Sequence, residues 1–177
     1  MNLFEKVVKY VDESFGEKMP HFERTVFWIK HFLPNTNEAH KIAAYSHDIE
    51  RGLNGEKDRD YTNRNFIDAH QKKSAQIMAD FLKNQSADKN LINIVISLIG
   101  NHEFGGDEEQ NALMDADSVS FFETNAEMFV NKRAKIEGYK KVKEKLDWMF
   151  SRISSEEHKK FARKNYEKWI KALDNYK

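Results

Sequence analysis

The chain has seven histidines, twelve aspartates and no cysteine, so any metal or proton-transfer chemistry must rest on imidazoles and carboxylates. On a helix, residues three, four and seven apart share a side, and that test sorts these groups. His70 shares its side with Phe66, Ser74, Ile77 and Phe81, and His102 shares its side with Val95, Leu98 and Ile99. Asp117 lies with Leu113 and Phe121, while His47 and Asp48 close the mostly apolar stretch IAAY (42–45). A buried Asp is costly unless it is paired or metal-bound. Inward His and carboxylate groups contributed by separate helices are how helical bundles build metal sites. Each residue also has a plainer reading. A single inward His is more often a hydrogen-bonded core group, and an inward Asp can cap a helix or pair with an arginine such as Arg24. His158 sits in a Lys-rich stretch, and His31 and His40 lack a carboxylate partner in sequence, so these three read as structural or surface residues.

The elements that must position these groups are helices. Two prolines and seven glycines interrupt a helical periodicity that otherwise runs nearly throughout. Residues 2–15 form a first helix closed by Gly16. Pro20 opens a second, where its missing N–H costs nothing, and the stripe Phe22, Val26, Ile29 and Leu33 carries it to Pro34. Asn35, Thr36 and Asn37 offer N-caps for a third helix through His47 or slightly beyond. Residues 51–61 are polar, contain glycine and lack a period, so they read as a long loop of the kind that covers sites. Further helices are expected over 62–83, 88–101, about 107–124, 126–152 and 154–174. Asp107 with Gln110, and Ser154 with Glu157, are read as capping boxes. The fold class is all-α: a multi-helix bundle of about seven to eight helices in one domain spanning 1–177.

Composition narrows the setting. Hydrophobic residues make up 40% and charged residues 33%, as in a globular protein with a heavily charged surface. No apolar run reaches the roughly 18 residues needed to cross a bilayer, and residues 1–15 lack the apolar core of a signal peptide. With no such run, no membrane partner is expected, and the lack of cysteine suits a cytoplasmic location. Net charge is zero, but residues 131–177 hold 15 Lys and Arg against 7 Asp and Glu. An acidic front half suits cation binding, and the basic end could attract phosphate or nucleic acid, although Lys-rich amphipathic helices explain it more simply.

Taken in order, the chain reads HFERTV (21–26), AAYSHDIER (43–51), AHQKKSAQIM (69–78), LIGNHEFGG (98–106) and LMDADSVSFF (113–122). This arrangement resembles the HD-domain superfamily of metal-dependent phosphohydrolases, over about residues 20–125. In that family a His near the start of one helix, a His-Asp pair ending another, and a later Asp bind a divalent metal. The resemblance includes the Ala-rich run before His-Asp. The final Ala-Asp is followed by Ser-Val, where the family usually has a bulkier apolar residue. The match is specific to the superfamily and does not select a subfamily, and residues 126–175 carry none of its motifs.

The resemblance implies that His21, His47, Asp48 and Asp117 are metal ligands. His21 is preferred to His31 by its distance before His-Asp, and Asp117 to Asp115 by its place in the Ala-Asp-x-apolar pattern. His70 and His102 match the family's intermediate histidines, which hold a second metal in some members and contact phosphate in others. Two imidazoles and two carboxylates suit Mn, Fe, Co, Ni, Zn or Mg, as one ion or a pair. Glu50 is a candidate catalytic group, to orient or deprotonate water, and equally a solvated helix-end charge. Arg51 and Lys73 are candidates for substrate phosphate, though exposed surface charge is the commoner role for each.

These features point to an enzyme, a hydrolase of a nucleotide or another small phosphate ester acting through metal-activated water. Fold analogy does not fix a reaction. The alternatives are a di-iron oxygenase of the HD type and a non-catalytic module that keeps a metal. A nucleic-acid role is weaker than any of these.

Overall fold

A computed structural model gives the fold of residues 1–55 and 63–177. Helix α1 (Leu3–Phe15) opens on a capping box between Asn2 and Glu5 and stops at Gly16, whose φ of 76° is the left-handed conformation that glycine adopts without a Cβ clash. Helix α2 (Pro20–Phe32) has Pro20 in its first turn, and α3 (Glu38–Ser46) is capped by Asn37. A short α4 (Ile49–Asn54) follows at once. The long α5 (Arg64–Asn84) and α6 (Lys89–Ile99) are capped by Asn63 and Asp88, and α7 (Glu108–Thr124) opens on the Asp107–Gln110 capping box. No strand occurs among the described residues, so the all-α expectation holds.

Three local expectations are corrected. The segment 51–61 does not begin as a loop: its first four residues complete α4, and residues 56–62 lie outside the described residues. The helix expected over 126–152 is broken into α8 (Ala126–Met128), a π-helical turn (Phe129–Arg133), α9 (Ala134–Glu137) and α10 (Tyr139–Ser151), with Gly138 at φ 86° separating the last two. These breaks and α4 carry the number of helical segments past seven or eight. Last, α11 (Glu156–Leu173) is capped by Ser155 rather than by Ser154. The amide and hydroxyl of Ser154 are instead donated to Asp115, so they are unavailable as a cap.

One contiguous apolar core runs from Val7 on α1 to Leu173 on α11. Helix α7 is its axis, buried on every side from Ala112 to Phe122. Helices surrounded in this way are usually apolar all round, yet α7 carries Asp115, Asp117, Ser118 and Ser120 inside the core. Each is answered by a neighbour. Ser120 meets Thr25 of α2 at 2.8 Å, and both hydroxyls donate to the carbonyl of His21. At the end of the helix Glu123 accepts from Arg24 and from the indole of Trp28. Arg24 therefore serves the α2–α7 seam and not Asp117. His158 donates from Nδ1 to Asp115 at 2.7 Å and stacks on Phe32 at 3.8 Å, which fastens α11 to α2 and α7. No helix among the described residues is long and apolar enough to cross a membrane.

Because Asp107 caps α7 from an exposed position, Asp107→Ala should lower the unfolding free energy by about 1 kcal/mol, read as a reduced urea midpoint with an unchanged slope. An unaltered midpoint would show that packing alone holds that terminus.

Candidate metal centre

The chain changes direction between α3 and α4, and the His-Asp pair occupies that corner. His47 ends α3 and Asp48 starts α4, so neighbouring side chains leave the backbone toward one interior point. An Asp at a helix start ordinarily accepts the first free amides. Asp48 makes no such cap bond, and its oxygens are held by Arg51 Nη1 at 2.6 Å and His70 Nε2 at 2.8 Å. His21 arrives from the first turn of α2, Asp117 from the middle of α7, His70 from α5, and His102 from the turn after α6.

His21, His47 and Asp48 each offer a ligand atom within 4.8 Å of the others, and so do Asp48, His70, His102 and Glu103. Asp48 belongs to both groups. Asp117 Oδ1 lies 3.0 Å from His21 Nε2 and 3.5 Å from His47 Nε2. The six residues singled out for the first and second ions are thus one buried cluster, and every one of them is at most 7% exposed.

Proton positions inside the cluster follow from its hydrogen bonds. His47 Nδ1 donates to the carbonyl of Ala44 at 3.0 Å, and His102 Nδ1 to that of Ile99 at 2.7 Å. A carbonyl only accepts, so the neutral rings carry their proton on Nδ1 and a lone pair on Nε2. Both Nε2 atoms are buried without a hydrogen-bond partner. His47 Nε2 lies 3.5 Å from Asp117 Oδ1 without forming a hydrogen bond to it. Two electron-pair donors facing each other in a dry interior call for a cation or a proton between them. Orphaned imidazole nitrogens, acidic oxygens and second-nitrogen contacts to carbonyls are the donor set a divalent ion requires.

The electrostatics agree. Burial opposes ionisation of Asp48 and Asp117, yet Arg51 beside the first and Arg152 beside the second, with the imidazoles, hold both carboxyls well below the usual range. Burial likewise lowers the basicity of His47, but Asp117 and Asp48 outweigh it and the net direction is upward. For His102 burial prevails and the ring is held neutral. Glu103 is pushed up by burial and brought down to about 2, chiefly by Arg152.

The other expected residues fall in different places. Glu50 accepts from His70 Nδ1 at 2.8 Å and from Asn54 at 3.0 Å, so it stands behind His70 and orients that ring. Its carboxyl is lowered, first by the bond from His70. Arg51 faces inward and bridges Asp48 and Glu103. Lys73 is exposed on α5, the commoner of the two roles weighed for it, because the helical turn carries it off the side shared by His70 and Ser74. Asp115 is committed to Ser154 and His158, which leaves Asp117 as the aspartate that α7 gives to the cluster. His40 caps α3 and His31 stacks on Phe27, as expected of structural residues.

Sequence reasoning missed Glu103, Lys145 and Arg152. Arg152, at the end of α10, donates to both Glu103 and Asp117 through its two Nη atoms and to Ser118 through Nε at 2.8 Å. Lys145 is 5% exposed on α10. With His21, Asp48, Arg51, Glu103 and Asp117 it lines a cavity of about 80 Å³, walled elsewhere by apolar side chains such as Phe15, Met19 and Phe129. The helical period could have found both residues. They are seven positions apart and share a side with Val142 and Met149.

Fold and site together define an all-helical protein whose buried His, Asp and Glu groups can hold a metal ion. The chain belongs to the family described as Domain of unknown function (DUF4202), whose model matches residues 6–173. No curated protein and no solved structure matches it.

Breaking a buried ion pair leaves a charge stranded, which typically costs about 3–5 kcal/mol. Arg152→Met in metal-free protein should therefore lose stability on that scale in urea denaturation, and Arg152→Met combined with Glu103→Gln should regain part of it. A double variant no more stable than the single one would show that Glu103 does not depend on Arg152.

Proposed function

We propose that the protein is a metal-dependent phosphohydrolase of the HD type, which holds a divalent cation through His21, His47, Asp48 and Asp117 and hydrolyses a small phosphate ester, a nucleotide among the candidates. The observation that carries this reading is the convergence of His21 Nε2 and the orphaned His47 Nε2 on one oxygen of Asp117. It is joined by the order of these groups along the chain, which is that of the HD superfamily. A divalent ion bound there would acidify a water and draw electron density from a phosphoryl oxygen.

The protein's own groups supply the rest. Arg51 and Arg152 fix Asp48 and Asp117 through one oxygen each, so the other oxygen of each carboxylate faces the cluster. Glu50 locks the orientation of His70, whose Nε2 reaches Asp48; in this reading that ring contacts substrate phosphate or passes a proton. His102 presents its orphaned Nε2 on the same side. The aromatic and methionine wall limits bulk water, which strengthens each charge interaction inside. A chain without cysteine accords with work in a reducing cytosol.

A second reading is favoured by the sharing of Asp48 between two ligand groups. Two irons bridged there would permit oxidation of a substrate by O₂, and a mixed-valence EPR signal with O₂ uptake would select it.

Asp117→Ala should cut bound metal more than about tenfold, because even losses one shell further out cost 10–100-fold, and activity should fall with it. Metal content by mass spectrometry, followed by a phosphate-ester screen over several divalent ions, reads both. A variant with full metal and full activity would remove Asp117 from the site, and metal-replete wild type inert toward the whole screen would favour a non-catalytic module.

A further inference from the structure

Another cavity, of about 450 Å³, lies between the start of α5, the turn after α6 and one side of α10. That volume is within the range of small-molecule pockets. Phe104 follows Glu103 and Trp148 precedes Met149, but no residue lines both this groove and the cavity of the metal cluster. Glu144, Asp147, Trp148 and Ser151 reach it together because spacings of three and four put them on one side of α10. Its floor is apolar: Ile67 is buried, and Phe104 and Trp148 are half-buried, with ring centroids 6.1 Å apart and planes at 74°. The guanidinium of Arg64 lies over the Phe104 ring at 4.4 Å and adds a third planar surface. Aromatic faces and guanidinium planes hold flat rings by stacking, and nucleic-acid bases are bound in this way.

The charged groups narrow the guest. Asp147 has both oxygens engaged, by Lys143 at 2.6 Å and by Tyr166 at 2.9 Å. Glu144 accepts no hydrogen bond among the described residues, and the cation paired with it, Lys140, is 4.0 Å away on an exposed turn. Beyond its stack on Phe104, the Arg64 side chain makes no hydrogen bond or ion pair among them either. An organic cation, a common guest of aromatic walls, would meet the charge of Arg64. An anion would meet that of Glu144. A neutral ring with acceptors on one edge and N–H donors on another suits both. Guanine has that arrangement: O6 and N7 accept from a guanidinium, and N1–H and N2–H₂ donate to a carboxylate. Adenine has a bare N1 where guanine has N1–H, which sets a lone pair against the carboxylate.

We infer that this groove is a binding site for a guanine-like base, with Arg64 and Glu144 reading its two edges. The inference does not rest on the phosphohydrolase reading, and the probes are nucleosides, which carry no phosphate. The chain has three tryptophans, so nitrogen-15-labelled protein shows three indole N–H resonances, and Trp148→Phe assigns the one from the groove. The indole N–H of Trp148 is buried without a hydrogen-bond partner, whereas those of Trp28 and Trp169 are bonded to Glu123 and to the carbonyl of Phe122. Guanosine should shift the Trp148 resonance saturably and leave the other two in place. Adenosine should bind at least about fivefold more weakly, as loss of a hydrogen bond implies, and inosine, which keeps N1–H without the amino group, should fall between. Arg64→Ala should weaken guanosine by about fivefold or more, as removal of a base-stacking partner does. Glu144→Gln should abolish the preference for guanosine over adenosine. Both side chains are exposed, so neither variant should disturb the fold. Guanosine that leaves the Trp148 resonance unmoved overturns the inference. So do wild type that binds all three nucleosides alike, a preference untouched by Glu144→Gln, and choline binding more tightly than guanosine.

Discussion

The interior of this bundle is organised by the need to keep Asp48, Glu103 and Asp117 ionised where bulk water barely reaches them. Each is nearly inaccessible, and a carboxylate so placed would take up a proton unless cations and hydrogen-bond donors compensate. Arg51 bridges the first two and Arg152 the last two. The resulting chain of charges, Asp48–Arg51–Glu103–Arg152–Asp117, joins α4, the turn after α6, α7 and the end of α10. Remove any link and a buried charge is stranded, so the network couples the placement of helices far apart in sequence. Such pairs are weak evidence for stability as such. Their effect here is geometric. They hold Asp117 so that one oxygen faces two imidazoles, and they keep Asp48 from capping α4.

The backbone is shaped around that requirement. Helix α7 can sit at the centre with four polar side chains because Ser118 and Ser120 are small and every one of the four has a partner. The corner at His47 and Asp48 sends two adjacent side chains inward, which an unbroken helix would fan about 100° apart. Local order behind the site is also bonded. Gln71 of α5 accepts from the amide of Glu103 at 3.1 Å, so the residue after His102 is placed by the helix that carries His70. Gly52 of α4 lies against the ring of Phe15, with room for no side chain: a Cβ there would meet Phe15 Cδ2 at 2.6 Å. The cavity wall and the corner are therefore packed against each other directly.

Much of this was legible in the residues. Periodicity and caps located α1, α2, α3, α5, α6 and α7 to within about two residues, because proline, glycine and Asn or Asp caps act locally. Inward placement of His70, His102 and Asp117 followed from spacing three and four. The failures have physical causes too. Residues 126–152 keep an apolar period straight through the π turn and Gly138, and period alone does not register a change of axis. Ser154 has a capping residue's sequence context, but its donors go to Asp115, a contact 39 positions away that no local pattern encodes.

The C-terminal helices show the limit of reading charge by composition. Counted together, the cations of residues 131–177 suggest a basic surface, and most of them are that. Lys145 and Arg152 are different in kind, because they share a side with Val142 and Met149 and point into the bundle. A cation on an apolar face is a stronger signal than a cation in a basic run, since burial must be offset by a specific partner. For Arg152 the partners are two carboxylates of the front half. The acidic excess of the first 130 residues and the basic excess of the rest thus meet at one interior point. The motif-free segment after residue 125 completes the charge balance that the motif-bearing segment alone would leave unmet.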